Sequence, residues 1–317
     1  MHYIQSTLLA LVLGASISCD NRSDGAIQHA DVADSTPASE AAVDSVPAPE
    51  PTPEIPDISY TFYQKKEWLG LKDSFEGAQH LDILIAINRT DSAHIKRLDS
   101  ILVPNRYDLP LHAYLPFPQE VSLLKDVKKI IIFSNPTQTF AAYENGKLVR
   151  QGQTNMGKKA TPTPPKLYFC NWKARRTTST VNSSWILNWN FNVSNFGGIG
   201  FHQYALPGYP ASHSCMRLQE ADAYFLYHWA EQWILKGDAE LAKGTPVLVH
   251  GQYPFGSPRP WYALVDDPQA LSLNQDSLRN MLEPHLPEIL KQQQRRDSVM
   301  AERNAIAAVQ DTEASTP

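Results

Sequence analysis

Hydrophobic and polar positions along the chain fall into three kinds of pattern. Continuous apolar runs mark buried elements: 81–87 (LDILIAI) reads as a helix or a strand, and 128–133 (KKIIIF) as a strand. Alternation marks 185–193, where Trp185, Leu187, Trp189, Phe191 and Val193 would share one apolar face. That face makes the two tryptophans core residues first, and a groove wall second. Helical spacing appears twice. Ile95, Leu98 and Leu102 predict a helix closed by Val103-Pro104. Leu226, Trp229, Ala230 and Trp233 predict another over 220–236, opened by acids and ended by Lys236-Gly237. Asn145-Gly146 lies between apolar stretches at 139–143 and 148–154, the strongest short signal for a hairpin. Further strands are expected at 167–172 and 244–249, and a polar, basic loop at 173–184.

These elements predict a mostly β domain with one main helix over 121–255. A small α-rich unit precedes it at 58–120, joined through the proline-rich stretch 110–118. An extension follows at 256–317. Its helical pattern over 276–303 should be interrupted by Pro284 and Pro287, and 309–317 has the composition of a disordered end.

Composition changes the picture at the N-terminus. The apolar run 8–17 has the size of a signal-peptide core and is too short for an ordinary membrane span. It ends in Ala15-Ser16-Ile17-Ser18-Cys19, which resembles a bacterial lipobox and implies a signal peptide at 1–18 and a lipidated Cys19. Residues 20–57 then hold nine acids, one arginine and six prolines, so 19–57 reads as a disordered acidic tether. The expectation is a membrane-anchored lipoprotein on the periplasmic side of a bacterial envelope. The tether carries −8 against −5 for the whole chain, which leaves +3 on the remainder. That mild basicity suits an anionic wall polymer and is too weak for a nucleic-acid partner.

The candidate chemistry sits in Ser212-His213-Ser214-Cys215-Met216-Arg217-Leu218. Cys215 lies two residues after His213 and 13 after His202, itself preceded by Gly197-Gly198-Ile199-Gly200. A thiol becomes a strong nucleophile when a base takes its proton, and histidine is the usual partner. From the residues alone two readings stand, a nucleophile with its base or a structural cysteine beside unrelated histidines. Cysteine and histidine are too sparse and badly spaced for a metal cage, and no phosphate-binding glycine loop is present; no cofactor is expected. Cys170 reads as a small buried thiol, since a bridge to Cys215 would block the nucleophile.

Taken in order, Asn145-Gly146, Gly157-Lys158, Thr161-Pro162-Thr163-Pro164, His202, the Ser212–Leu218 motif and Gly244-Thr245-Pro246-Val247 resemble the YkuD catalytic domain of bacterial L,D-transpeptidases over about 121–253. The resemblance implies a β-sandwich-like domain acting on tetrapeptide stems of peptidoglycan. Cys215 would form a thioester, release D-alanine and pass the acyl group to an amine. His202 would be the base, with His213 able to share or take over that role. The backbone at Ser214 and Cys215 would hold the oxyanion, and Arg217 and Tyr204 would contact substrate, although Arg217 could equally serve a structural ion pair. Two departures stand out. Ser214 replaces the family's usual glycine, and Pro165-Lys166 follows Thr163-Pro164 where a glycine is usual. Hydrolysis at the same thioester and a non-catalytic wall-binding role are the alternatives. The 58–120 unit resembles a diverged LysM module, with a generic two-helix unit as the other reading.

Overall fold

The computed structural model describes residues 57–70 and 78–314. The expected signal peptide, lipidation site Cys19 and all but the end of the tether lie outside the described residues.

Strand β1 (Tyr60–Gln64) leads into helix α1 (Lys65–Gly70), and after α2 (Ala78–Ile87) the chain returns as β2 (Ser100–Pro104), antiparallel to β1. The apolar run 81–87 is therefore helical. The second predicted helix is not formed. Ile95–Arg97 makes one 3-10 turn, Leu98 is already extended, and Leu102 pairs with Phe62 in the sheet. All three apolar residues are nonetheless buried, because a turn followed by a strand satisfies the same spacing. Asn88 ties α2 to β2: its side chain donates to Leu84 O and Leu102 O and accepts from Leu102 N.

The central body is a sheet. Its strands are β3 (Ile130–Ser134), β4 (Thr139–Glu144), β5 (Lys147–Asn155), β6 (Lys166–Phe169), β7 (Lys173–Thr178), β8 (Ile186–Ser194), β9 (Ile199–Gln203) and β10 (Met216–Leu218). Helix α3 (Glu220–Trp229), a separate hairpin of β11 (Ile234–Lys236) and β12 (Ala239–Ala242), and β13 (Pro246–His250) follow. The nine-stranded order is β6-β13-β3-β4-β5-β10-β9-β8-β7. Asn145 and Gly146 turn the β4–β5 hairpin with φ of 49° and 77°, as the Asn-Gly pair predicts. The sheet curls so that one core holds Ile131, Phe133, Val247 and Val249 from one end and Phe191, Val193 and Phe201 from the other, with Ala223 and Leu226 of α3. The domain is mostly β and sandwich-like, as expected.

Three sequence expectations change here. Residues 173–178 form a strand rather than a loop. β7 is the edge of the sheet and largely exposed, so it needs no apolar face and shows no alternation. Helix α3 stops at Trp229 instead of running to 236: Ala230 is extended (ψ 150°), Glu231 N donates to Thr245 Oγ1, and Arg296 and Lys129 hold the Glu231 carboxylate. In β8 the alternation breaks at a bulge between Asn188 and Phe191, where Trp189 has φ 52°.

The C-terminal segment is structural. Helices α4 (Gln275–Leu282) and α5 (Leu286–Ala314) are separated by a 3-10 turn at Glu283–His285 that contains Pro284, with Pro287 in the first turn of α5. Residues 309–314, expected as disordered, continue α5. Arg295, Arg296 and Arg303 reach carbonyls of Leu241, Gln232, Lys243 and Leu235 around the β11–β12 hairpin. Leu278, Leu282 and Ile289 cover the outer face of β3 and β4, whereas Trp261 and Leu264 join the core of the N-terminal unit. The 110–118 stretch is no bare link, for it buries Tyr114, Leu115 and Phe117.

Candidate active site

The site follows from strand alternation. β10 runs parallel to β9, with Met216 opposite Phe201, Arg217 opposite His202 and Leu218 opposite Gln203. Its other edge is antiparallel to β5, with Arg217 opposite Asn155. Phe201, Met216 and Leu218 are fully buried in the core. Side chains alternate across a strand, so His202 and Arg217 emerge on the opposite face. Cys215, two residues before Arg217, joins them there and lies beside Gly200. The resulting cleft is lined by His202, Tyr204, Ser212, His213, Cys215 and Arg217. Its far wall comes from Trp172, Val181, Trp185 and Leu187, with Asn190 and Asn192 beyond the bulge. Gly200 has no room for a side chain, since a Cβ would sit 2.5 Å from Phe191 O.

The cysteine loop rests in a cradle formed by the Gly157–Thr163 turn. Ser212 N donates to Met156 O (3.1 Å), and Lys158 N to Ser212 O (3.0 Å). Thr163 Oγ1 accepts from Gly157 N and donates to Ser214 O (3.0 Å). Ser212 Oγ donates to Cys215 O (2.5 Å). Ser214 has φ 74°, the conformation for which its glycine replacement matters. A left-handed backbone costs a non-glycine residue about 1–2 kcal/mol. The Ser214 Oγ donates to Thr161 O (3.3 Å), which offsets part of that, about 1 kcal/mol for an ordinary bond. The backbone N–H groups of Ser214 and Cys215 meet no acceptor among the described residues. At the second departure, Lys166 begins β6.

His202 is buried, and its Nδ1 lies 3.0 Å from Gln203 O. A carbonyl only accepts, so Nδ1 carries the proton and Nε2 of the neutral ring keeps its lone pair. Burial pulls the His202 pKa down to about 4; the Gln203 bond opposes this and the Arg217 charge adds to it. Burial also pushes the Cys215 thiol above its ordinary value, against a backbone hydrogen bond and the Arg217 charge. The resting pair is therefore a neutral thiol and a neutral imidazole. The thiol donates to Gly198 O (3.4 Å) in this state rather than to a histidine. His213 is exposed at the rim of the cleft.

Arg217 lies 4.7 Å from the centroid of the Tyr204 ring, and its NH1 reaches Ala205 O (3.5 Å). Burial lowers its pKa, and the nearby Tyr204 and Cys215 oppose this. No carboxylate pairs with Arg217 among the described residues, so the structural ion pair considered from sequence is not formed. Trp185 lines the cleft, contrary to its expected place in the core. The bulge explains this: Trp185 and Leu187 face the cleft, while Phe191 and Val193 turn inward. Trp189 packs instead on α3, with Tyr224 and Tyr227 at 4.9 and 5.5 Å. Tyr209 stands outside the cleft, half-exposed near Arg259. Cys170 and Cys215 are both free thiols, the former fully buried. Sequence reasoning missed the bracing roles of Ser212 and Thr163. The Thr-Pro turn was visible, but its contact with the cysteine loop spans about fifty positions.

Comparison with curated proteins finds no match. Among solved structures, an L,D-transpeptidase from Stackebrandtia nassauensis is similar at 24% identity over 40% of this chain and 57% of its own, with a TM-score of 0.33. One from Mycobacterium smegmatis is 18% identical over 39% and 59%, with a TM-score of 0.32. One from Mycobacterium tuberculosis H37Rv is 18% identical over 48% and 72%, with a TM-score of 0.31. The chain thus spans less than two thirds of the length of the first two. The family model described as YkuD, the L,D-transpeptidase catalytic domain, matches residues 128–249, the segment that holds Cys215, His202 and the cleft around them.

Proposed function

We propose that the cleft carries out acyl transfer on tetrapeptide stems of peptidoglycan through a thioester on Cys215. The common face shared by Cys215, His202 and Arg217 is the observation that carries this reading. His202 Nε2 takes the thiol proton as the sulfur attacks the carbonyl of the stem's third residue. The oxyanion sits against the N–H groups of Ser214 and Cys215; one such donor contributes about 2.7–4 kcal/mol in comparable sites. Collapse breaks the amide bond, and the imidazolium returns its proton to the departing D-alanine amine. An acceptor amine then attacks the thioester, the new amide forms and the thiol is restored. Arg217, charged and without a carboxylate partner among the described residues, suits the terminal carboxylate of the stem. A low-pKa imidazole beside a high-pKa thiol disfavours a resting ion pair. Proton transfer is therefore coupled to attack on bound substrate.

Incubating the protein with muropeptides and analysing the products by mass spectrometry tests this. Cross-linked dimers with free D-alanine support transfer; trimmed monomers alone replace it with hydrolysis. A carbapenem should add its mass to Cys215, and the adduct should vanish in Cys215→Ala. Absence of both product and adduct would leave the wall-binding reading. We also infer envelope anchoring through Cys19, supported by the lipobox-like segment and the acidic tether. Lipid labelling that persists in Cys19→Ala would overturn it.

A further inference from the structure

The N-terminal unit touches the chain that links the two reacting residues. Residues 204–215 cross from β9 back to the parallel β10, and the start of their path is set at two points. Tyr204 N donates to Leu218 O (3.1 Å). Two residues later, the buried backbone of Leu206 is held by the turn after α2. Its N–H donates to Asp91 Oδ2 (2.7 Å), and its carbonyl accepts from Asp91 N (3.1 Å) and Thr90 Oγ1 (2.9 Å). Between these two points lies Ala205, whose carbonyl receives Arg217; the guanidinium also faces the ring of Tyr204, at the first point.

The turn is itself well anchored. Asp91 Oδ1 accepts from His94 N and lies 2.7 Å from His94 Nδ1. Gln153 Nε2, on β5, donates to Thr90 O (3.1 Å). Arg89 is buried with φ 55°, and its Nε donates to Thr137 O (2.7 Å). Gly208 completes the contact. With φ 85° it passes so close to Leu98 that a Cβ would lie 2.9 Å from Leu98 Cδ2.

We propose that Asp91 is a positioning residue: by fixing Leu206 it holds Ala205 and Tyr204 against Arg217, and so aims that cation into the cleft at an anionic group. The N-terminal unit thereby serves the cleft directly, whatever else it binds. The proposal rests on Arg217 being the cleft's anion contact, and it does not need the acyl-transfer chemistry to be correct.

The test uses the full chain and two small thiol reagents, iodoacetate and iodoacetamide, with alkylation at Cys215 followed by peptide mass mapping. The anionic reagent senses Arg217 and the neutral one does not. The iodoacetate-to-iodoacetamide rate ratio should fall about fivefold in Arg217→Gln, the size expected for losing one nearby charge in a wet cleft. Asp91→Ala should lower it by a similar factor. Asp91→Asn, which keeps an acceptor for Leu206 N–H, should retain most of the wild-type ratio. A merely structural tie would lower the melting temperature and leave the ratio of the folded protein unchanged. If Asp91→Ala fails to fold, Thr90→Val, which removes the hydroxyl on Leu206 O, is read the same way with a smaller fall. A fall in Arg217→Gln with no change in the clamp variants overturns the role of Asp91. No change in any variant removes the anion role of Arg217, and this proposal with it, while the muropeptide assay still decides the reaction.

Discussion

The two faces of the β9–β10 pair obey different rules. One carries Phe201, Met216 and Leu218, all fully buried, with the Phe201 ring centroid 5.2 Å from that of Phe191. The other carries Gly200, His202, Cys215 and Arg217, where burial works against the ionised forms and little packing is gained. The first face stabilises the strands; the second uses that stability to hold reactive groups in a poorly solvated place. Residues that break the local rule of apolar burial are therefore the ones to assign to chemistry.

The sharpest test of this division is Cys215→Ala. It should abolish product formation in the muropeptide assay while shifting the melting temperature little, since the thiol contributes little packing. His202→Gln should lower kcat by about 10²- to 10⁴-fold, the usual worth of a general base, whereas His213→Gln should cost less than about tenfold. Equal losses in the two variants would remove the buried histidine from its assigned role. On the core face, Phe201→Ala should lower unfolding free energy by about 3–5 kcal/mol in denaturant titration, with turnover of the remaining folded protein kept. A stability loss as large from His202→Gln would blur the distinction between the faces.

The pH dependence follows from the same burial. An ordinary histidine titrates near 6.5, but His202 is lowered to about 4. Its base form persists through mildly acidic pH, so kcat/KM should fall only as pH drops toward about 4. Burial raises the thiol above its ordinary value, so the alkaline limb should lie higher than that of a free cysteine. An acid limb near 6.5 in the measured profile would point to a base other than His202. The smallest effect is expected of Ser214→Gly. Relief of the left-handed backbone, loss of the bond to Thr161 O and the greater entropy of unfolded glycine nearly cancel, so stability should change by less than about 1 kcal/mol.

Much of this was legible from sequence where the cause is local. Asn145-Gly146 fixed its hairpin because both residues must take positive φ, whereas Ser214 stood out only against the glycine usual at its place. Pro284 and Pro287 marked the break before α5. What was hidden depends on distant partners. β7 looked like a loop because an edge strand in water needs no alternation. The end of α3 is set by Thr245 and Arg296, far along the chain. Trp185 read as core because one bulge, at Trp189, reverses the faces of a strand whose composition gives no sign of it. The residues singled out from sequence, His202, Tyr204, His213, Cys215 and Arg217, line one cleft, yet the cradle of Thr163 and the clamp of Asp91 rest on side-chain-to-backbone bonds between remote segments, which leave no pattern in spacing.

The parallel pairing of β10 with β9 also makes a prediction about which length changes the chain can absorb. The interval from Arg217 back to Cys215 is governed by parity: one residue inserted between them would turn the sulfur toward the core and bring an apolar side chain to the cleft. The interval from Tyr204 to Leu206 is fixed by hydrogen bonds at both ends. The stretch from about 207 to 211 is held as well: Asn155 donates to Tyr209 O and accepts from Ala211 N (3.2 Å), Pro207 bridges Thr90, and Gly208 must pass Leu98. The motif thus behaves as a ruler held along its length, and a change in the distance between histidine and cysteine should be absorbed only if the Asn155 contacts to Tyr209 and Ala211 are given up.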